Sequence, residues 1–285
     1  MRIMIFLIAI VVSAFSAEEK TYVTCAFSGQ LGNQLFEVAA AIAYALEHGC
    51  EPIFPEIDQA EHGALNHRFI FHRLNTSPIP GHAHLYHYYE NQHTHYVRYA
   101  PIPYVGNGMC LDGFFQTEKY FSHYSDYIRD LFSPSEEILS YIHAKYRRVL
   151  KNSTVAIHVR TFIPNGRNPD IDGIGGLNWR EYFIKAINYF PADSTFLLFS
   201  DSIEWVKAHF PKMDRNILFI EGNPYYIDFY LMSMCTHQIV SPGSTFSWWA
   251  AWLNANKSKT VIAPYTWLGL EGEDIIPASW VKIRY

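Results

Sequence analysis

TVAIHVR, running from Thr154 to Arg160, decides the fold. Apart from His158 its first six residues are apolar or β-branched, which reads as a strand buried on both faces. Arg160 then marks the end of that strand. Toward the C-terminus the pattern repeats. The sequence predicts helix Trp179 to Phe190, strand Thr195 to Phe199, helix Ile203 to Phe210 and strand Asn216 to Ile220. Helix Tyr225 to Met234, strand His237 to Val240, helix Thr245 to Leu253 and strand Thr260 to Ile262 complete the series. Short apolar strands alternating with helices specify a parallel α/β sheet covered on both faces. Right-handed crossovers gather the strand C-terminal ends on one edge, where ligands bind.

Toward the N-terminus the reading is less regular. Thr21 to Phe27 reads as a buried strand, Ser28 to Asn33 as a turn, and Gln34 to His48 as a helix stopped by Gly49. Residues 56–103 are rich in His, Tyr and Pro with little periodicity, and read as irregular surface or a ligand-facing insertion. The His82-x-His84 and His93-x-His95 pairs there lack the i, i+4 spacing of helical metal ligands and read as solvated loop histidines. At roughly 150 residues per domain, 285 residues suggest two domains, 21–150 and 151–285.

Composition narrows the function. Hydrophobic residues are 49% and charged residues 17%, which excludes a disordered or fibrous chain. A net charge of -5 leaves no basic footprint for nucleic acid. Aromatics at 16% suit an aromatic core first and sugar stacking second. Cys25, Cys50, Cys110 and Cys235 lie far apart without a CxxC pair, which fits neither a zinc site nor a dense disulfide framework. Two bridges and four buried thiols both remain open.

The first 17 residues are set apart from the fold. Arg2, the apolar run Ile3 to Val12 and the small residues Ser13 to Ala17 have the form of a signal peptide. The run is shorter than the ~20 residues of a spanning helix, so a short anchor is the second reading and an N-terminal strand the third. The expectation is the secretory pathway or a membrane association through the N-terminus.

Three junctions carry chemistry. Gly29-x-x-Gly32-Asn33-Gln34 is a glycine turn entering a helix, where backbone comes close to a ligand and free N–H groups face an anion. His158-Val159-Arg160 ends a buried strand with both functional side chains on one face, and Arg160 offers a forked donor suited to phosphate. A surface salt bridge beside a packed histidine is the alternative there. Ser241-Pro242-Gly243-Ser244-Thr245-Phe246-Ser247 places hydroxyls and N–H groups where a strand hands over to a helix, suited to a diphosphate or to a plain Ser244 cap. Asp170-Ile171-Asp172 has the form of a metal-binding DxD but sits in a Gly/Pro/Asn loop and reads as a solvated turn.

Taken together, these motifs resemble the α-1,2-fucosyltransferase family, glycosyltransferase family 11. The resemblance runs through Gly29 to Phe36, Gly113-Phe114-Phe115-Gln116 with Tyr120-Phe121, His158-Val159-Arg160 and Phe199-Ser200-Asp201. It continues through Asp228 to Cys235, Ser244 to Asn254, and Ala263-Pro264 with Trp267. It implies a GT-B fold of two Rossmann-like domains facing across a cleft, the C-terminal one binding GDP-fucose and the N-terminal one facing the acceptor. It implies inverting transfer of L-fucose to a galactose-terminated glycan without a bound metal. By the same resemblance Arg160, with His158, neutralises the leaving diphosphate. Ser244, Thr245, Phe246 and Ser247 flank it, Gly29, Gly32, Asn33 and Gln34 face it, and Asp201 or Asp228 recognises guanine or ribose.

One departure stands out. The family continues His-x-Arg-Arg-Gly-Asp, whereas here Thr161-Phe162-Ile163 follows Arg160, so the acid that helps deprotonate the acceptor has no counterpart in register. Asp170, Asp172 and Glu181 are the downstream candidates. Two other readings stay open: a glycan-binding protein with a decayed transferase site, and a GDP-sugar transferase with a different acceptor.

Overall fold

The computed structural model describes residues 20–284 apart from 82, 91–97, 173, 175–177, 269 and 272–273, and the backbone alone at 171, 172, 270 and 271. The N-terminal segment 1–17 and three of the paired histidines, at 82, 93 and 95, therefore lie outside the described residues. In the first half, β1 (Tyr22–Cys25), β2 (Glu51–Pro52), β3 (Leu85–Tyr89) and β4 (Gly108–Asp112) form a parallel sheet in the order β2-β1-β4-β3. In the second half, β5 (Thr154–Val159), β6 (Thr195–Ser200), β7 (Asn216–Phe219), β8 (His237–Ile239) and β9 (Val261–Pro264) join a second parallel sheet. A small antiparallel hairpin, β10 (Thr266–Trp267) with β11 (Leu270–Glu271), precedes its last strand, β12 (Val281–Ile283).

The second sheet runs β12-β9-β8-β5-β6-β7. Chain order therefore reverses between β5 and β8. Crossovers leave the two strands toward opposite faces at such a point, opening a crevice outside their C-terminal ends. This reversal sets the place of the site.

The helices are α1 (Leu31–His48), α2 (Gly63–Phe69), α3 (Ser125–Leu131), α4 (Glu136–Tyr146) and α5 (Pro169–Asp172), followed by α6 (Trp179–Asn188), α7 (Ile203–His209), α8 (Tyr225–Met234) and α9 (Thr245–Leu253). α1 begins three residues before the expected Gln34, because the N–H groups of Asn33 and Gln34 already bond to the Gln30 carbonyl at 2.9 and 3.2 Å. It ends as read, with Gly49 at φ 68 donating its N–H to Ala45. Its alanines are buried on every side, since it packs on β1 in one half and on α9 in the other.

That packing joins the halves. Phe36 of α1 lies 4.5 Å from the ring of Trp248 and 5.0 Å from that of Trp249, and Phe121 stacks on Trp249 at 5.1 Å. The aromatic residues thus supply much of a core continuous between the two sheets. On the far face of the second sheet, Val155, Ile157 and Val159 pack with Trp179, Tyr182 and Phe183 of α6. The alternation of β5 leaves His158 on the opposite face, toward the cleft.

The GT-B arrangement is the observed one. The irregular reading of 56–103 is corrected by α2 and β3. Among the described residues β3 pairs only with β4, and its Leu-Tyr-His-Tyr-Tyr sequence exposes Tyr86, His87 and Tyr89 and half-buries Tyr88, with no alternation of polar and apolar residues. All four cysteines are free thiols. Among the described residues no helix is long and apolar enough to cross a membrane.

Candidate active site

The C-terminal edges of the two sheets face each other across a cleft of about 1090 Å³. On the second-sheet side, the guanidinium of Arg160 leaves the end of β5. Its Nη1 donates to Asp201 Oδ2 at 2.6 Å, and its Nη2 to Asn165 at 2.9 Å and to Gln30 at 3.1 Å. The side chain is only 16% exposed, so this orientation is fixed before any ligand arrives. Asp201, at the end of the neighbouring β6, also accepts the N–H of Thr161 (2.7 Å), the hydroxyl of Thr161 (2.9 Å) and the N–H of Phe162 (3.1 Å). These bonds hold Phe162 at φ 59, a left-handed conformation a bulky residue rarely adopts. The Ser241 hydroxyl, in the loop after β8, accepts the Arg160 N–H at 3.0 Å.

His158 is buried, and its Nδ1 lies 3.2 Å from the Ser244 hydroxyl. Burial lowers its pKa to about 4, and Arg160 lowers it further while Asp201 opposes. It is a neutral imidazole at pH 7. Ser244 caps α9 by accepting the Ser247 N–H at 3.3 Å. A Ser244 hydroxyl that donates to Nδ1 leaves the imidazole proton on Nε2.

The N-terminus of α9 opens toward the cleft. The N–H groups of Thr245 and Phe246 have no bonding partner among the described residues, and the helix dipole adds partial positive charge there. Across from them stands the glycine turn. Asn33 Oδ1 accepts from the Thr245 hydroxyl at 3.1 Å and from Gln116 Nε2 at 3.0 Å, tying the two halves at the site. A Cβ on Gly32 would collide with the Thr245 hydroxyl and stand 2.6 Å from the Phe246 nitrogen, so only glycine allows this approach.

Not every expected ligand group reaches the cleft. Gln34 is fully buried and clamps the turn, donating to the Gly29 and Glu61 carbonyls, both at 2.9 Å, and accepting from Asn66 at 2.7 Å. Ser247 is likewise buried in bonds to Ser241 and Ser244. Of the two acids expected near a base or ribose, Asp201 is occupied by Arg160 and its loop. Asp228 lines the cleft, accepts from Asn223 at 2.8 Å, and burial lifts its pKa to about 7.

The downstream acids lie elsewhere. Asp170 pairs with Arg180 at 2.8 Å and Glu181 with Lys185 at 2.7 Å, both half-exposed and outside the cleft lining. The side chain of Asp172 lies outside the described residues. Sequence reasoning missed Glu90, Glu61 and two rings of the aromatic wall, Tyr88 and Tyr99, whereas Phe114 and Tyr120 of the same wall belong to motifs it singled out. Phe114 stands in the Gly113 to Gln116 motif, but Glu90 follows a strand that the sequence hid. Among the described residues no three His, Cys, Asp or Glu side chains are grouped as a metal site.

Residues 2–284 match the sequence profile of Glycosyl transferase family 11. An alpha-1,2-colitosyltransferase of Escherichia coli is 32% identical over 190 residues, 60% of this chain and 61% of that protein. The chain thus spans less than two thirds of that relative's length. A galactoside alpha-(1,2)-fucosyltransferase 2 of Oryctolagus cuniculus is 26% identical over 256 residues, 84% of this chain and 68% of that protein. Among solved structures, the fucosyltransferase NodZ from Bradyrhizobium superposes with a TM-score of 0.53 at 15% identity, over 81% of this chain and 93% of NodZ. That likeness is one of fold.

Proposed function

The chain belongs to glycosyl transferase family 11, and from that membership we propose that it is an inverting galactoside α-1,2-fucosyltransferase. In this reading it moves L-fucose from GDP-fucose to the 2-hydroxyl of a terminal galactoside. The observation that carries the reading is Arg160, fixed by Asp201 at the chain reversal and facing the open N-terminus of α9. Such a pocket suits a diphosphate that gains charge as it departs.

The acceptor oxygen attacks the anomeric carbon on the face opposite the diphosphate, so the configuration inverts. As the carbon–oxygen bond to the β-phosphate breaks, its electron pair stays with GDP. The Arg160 fork and the Thr245 and Phe246 N–H groups meet that charge in a site already oriented for it. Neutral His158 packs beneath, and its Ser244 contact holds the α9 cap in place. Asp228 receives N–H or O–H donors from the nucleoside.

The colitosyltransferase relative supports a second reading, a related sugar on the same kind of linkage. A glycan-binding protein with a decayed site is disfavoured by the fixed arginine, which such a protein does not need. The N-terminal segment supports export or membrane association, and sequencing the mature N-terminus tests this: exported protein should begin near Ala17. The activity test is incubation with GDP-fucose and a panel of galactosides. GDP release with an α-1,2-linked product is expected, and no product from any galactoside would remove the assignment.

A further inference from the structure

Among the described residues four carboxylates line the cleft: Glu61, Glu90, Asp201 and Asp228. Three are committed or placed elsewhere. Asp201 holds Arg160 and its loop. Asp228 stands on α8, beside the second sheet, and takes the Asn223 amide. Glu61 is half-exposed and accepts from Gln30 at 3.1 Å.

Glu90 differs. It directly follows β3 at the C-terminal edge of the first sheet, with its N–H bonded to the Asp112 carbonyl at the end of β4. Its Oε2 accepts two backbone N–H groups, from Phe114 and Phe115, both at 2.8 Å. Oε1 has no partner among the described residues. The turn after β4 is shaped around this carboxylate. Gly113 sits at φ 153, where an added Cβ would collide with the Glu90 side chain, and Phe115 at φ 48 is in a strained conformation.

On the reading that the chain transfers a sugar from a GDP donor, we propose that Glu90 is the catalytic base that takes the proton of the acceptor hydroxyl. Oε1 accepts that proton while the hydroxyl oxygen bonds to the anomeric carbon, and the bond from that carbon to the β-phosphate breaks with its electron pair leaving on GDP. The two backbone donors anchor Oε2, so the basic oxygen has a fixed position. The role left open where the family's acid is missing after Arg160 passes to the facing sheet. Burial raises the Glu90 pKa and the two N–H bonds restrain the rise. A raised value makes it a stronger base. Glu37 on α1, Tyr88 on β3 and Tyr120 sense its charge, and Arg98 lines the same cleft.

The test is Glu90→Gln, which keeps an oxygen for both N–H groups and removes the base. We expect transfer turnover to fall by ~10²-fold or more, the usual share of a general base, with GDP affinity within about twofold of wild type. A folded Glu90→Gln protein that transfers within about threefold of wild type overturns the proposal. A wild-type measurement does not depend on the variant folding. Acceptor kcat/KM should fall toward acid along one ionisation lying above the ordinary carboxylate value, and a profile flat from about pH 5 to about pH 8 overturns the assignment. Wild type that neither binds GDP nor releases it from the donor would overturn the donor reading as well, whereas the first two failures remove Glu90 alone.

Discussion

Asp201 grips Arg160 with one carboxylate oxygen at 2.6 Å and the Thr161 N–H with the other at 2.7 Å. One side chain thus fixes both the guanidinium and the loop that carries it. The Phe162 N–H donates at 3.1 Å to the same oxygen that takes Arg160, which explains why this bulky residue tolerates its left-handed backbone. Asp201 is a positioning residue, and the arginine it holds is the group to test.

Arg160→Lys should be nearly as damaging as Arg160→Ala. Lysine keeps the charge but presents one flexible ammonium where a planar fork reaches Asp201, Asn165 and Gln30 at once. Losing a preorganised donor of this kind costs ~10²- to 10³-fold in turnover. The loss should fall on kcat, because the contact strengthens as charge develops, while acceptor KM stays close to wild type. Folding is checked first by circular dichroism. A folded Arg160→Ala protein within about threefold of wild type would remove Arg160 from the mechanism.

GDP should raise the melting temperature in the presence of EDTA. A ligand that binds only the native state stabilises it by mass action, by about 2.7 kcal/mol at a hundredfold excess over Kd. In the proposed function Arg160 and the α9 N-terminus supply the positive charge for the diphosphate from the protein itself. A shift that disappears with EDTA and returns with manganese would overturn the metal-free reading.

Glu37 should make stability fall with rising pH. It is fully buried in α1, its two oxygens share the Ser28 N–H at 3.1 Å, and burial lifts its pKa from 4.5 to about 9. Between those values the folded state keeps a proton that the unfolded state has lost. Its contribution is therefore complete below about 4.5 and declines as pH rises to about 9. Glu37→Gln fixes the neutral form. The stability difference, variant minus wild type, should grow by up to ~1.4 kcal/mol per pH unit across that window. His158, neutral down to about pH 4, tilts both proteins oppositely and cancels in the difference. Urea unfolding at several pH values measures the gap, and a pH-independent gap would show that Glu37 is ionised in the fold.

The second sheet was legible because its inner strands are buried on both faces and separated by amphipathic helices, as Thr154–Val159 and Trp179–Asn188 illustrate. Of the first sheet only β1 was legible, inside the strand read over Thr21 to Phe27. Gly108-Met109-Cys110-Leu111-Asp112 is short and opens on glycine, and the aromatic edge strand Leu85–Tyr89 shows no binary pattern. Arg160, His158, Ser244 and Thr245 were legible because strand-end and helix-start positions point to the cleft by topology alone. Gln34, Ser247 and Asp201 were legible as polar groups near the site. Their partners depend on which neighbour arrives first in space, and for Gln34 that neighbour is Asn66 on α2, an element the sequence concealed.

Gly32→Ala should weaken both the fold and nucleotide binding. In an exposed helix alanine gains ~1 kcal/mol over glycine, but here the added methyl meets the Thr245 hydroxyl and lies 2.6 Å from the Phe246 nitrogen. These atoms belong to the first turn of α9, whose backbone cannot yield like the tip of a flexible side chain. Either α1 or the α9 start must shift, and overpacking of this kind costs ~1–3 kcal/mol, enough to cancel the helical gain or exceed it. The shift also stretches the bond from the Thr245 hydroxyl to Asn33 and turns the N–H groups of Thr245 and Phe246 away from the cleft where the proposed diphosphate binds. The GDP-dependent rise in melting temperature should therefore shrink. Gly49→Ala is the control: at φ 68 with nothing within 4 Å, it carries backbone strain of ~1–2 kcal/mol without a clash, far from α9. It should lower the melting temperature while leaving the response to GDP intact. A Gly32→Ala protein with the wild-type GDP response would show that α1 and α9 do not meet as closely as the shared Asn33–Thr245 contact requires.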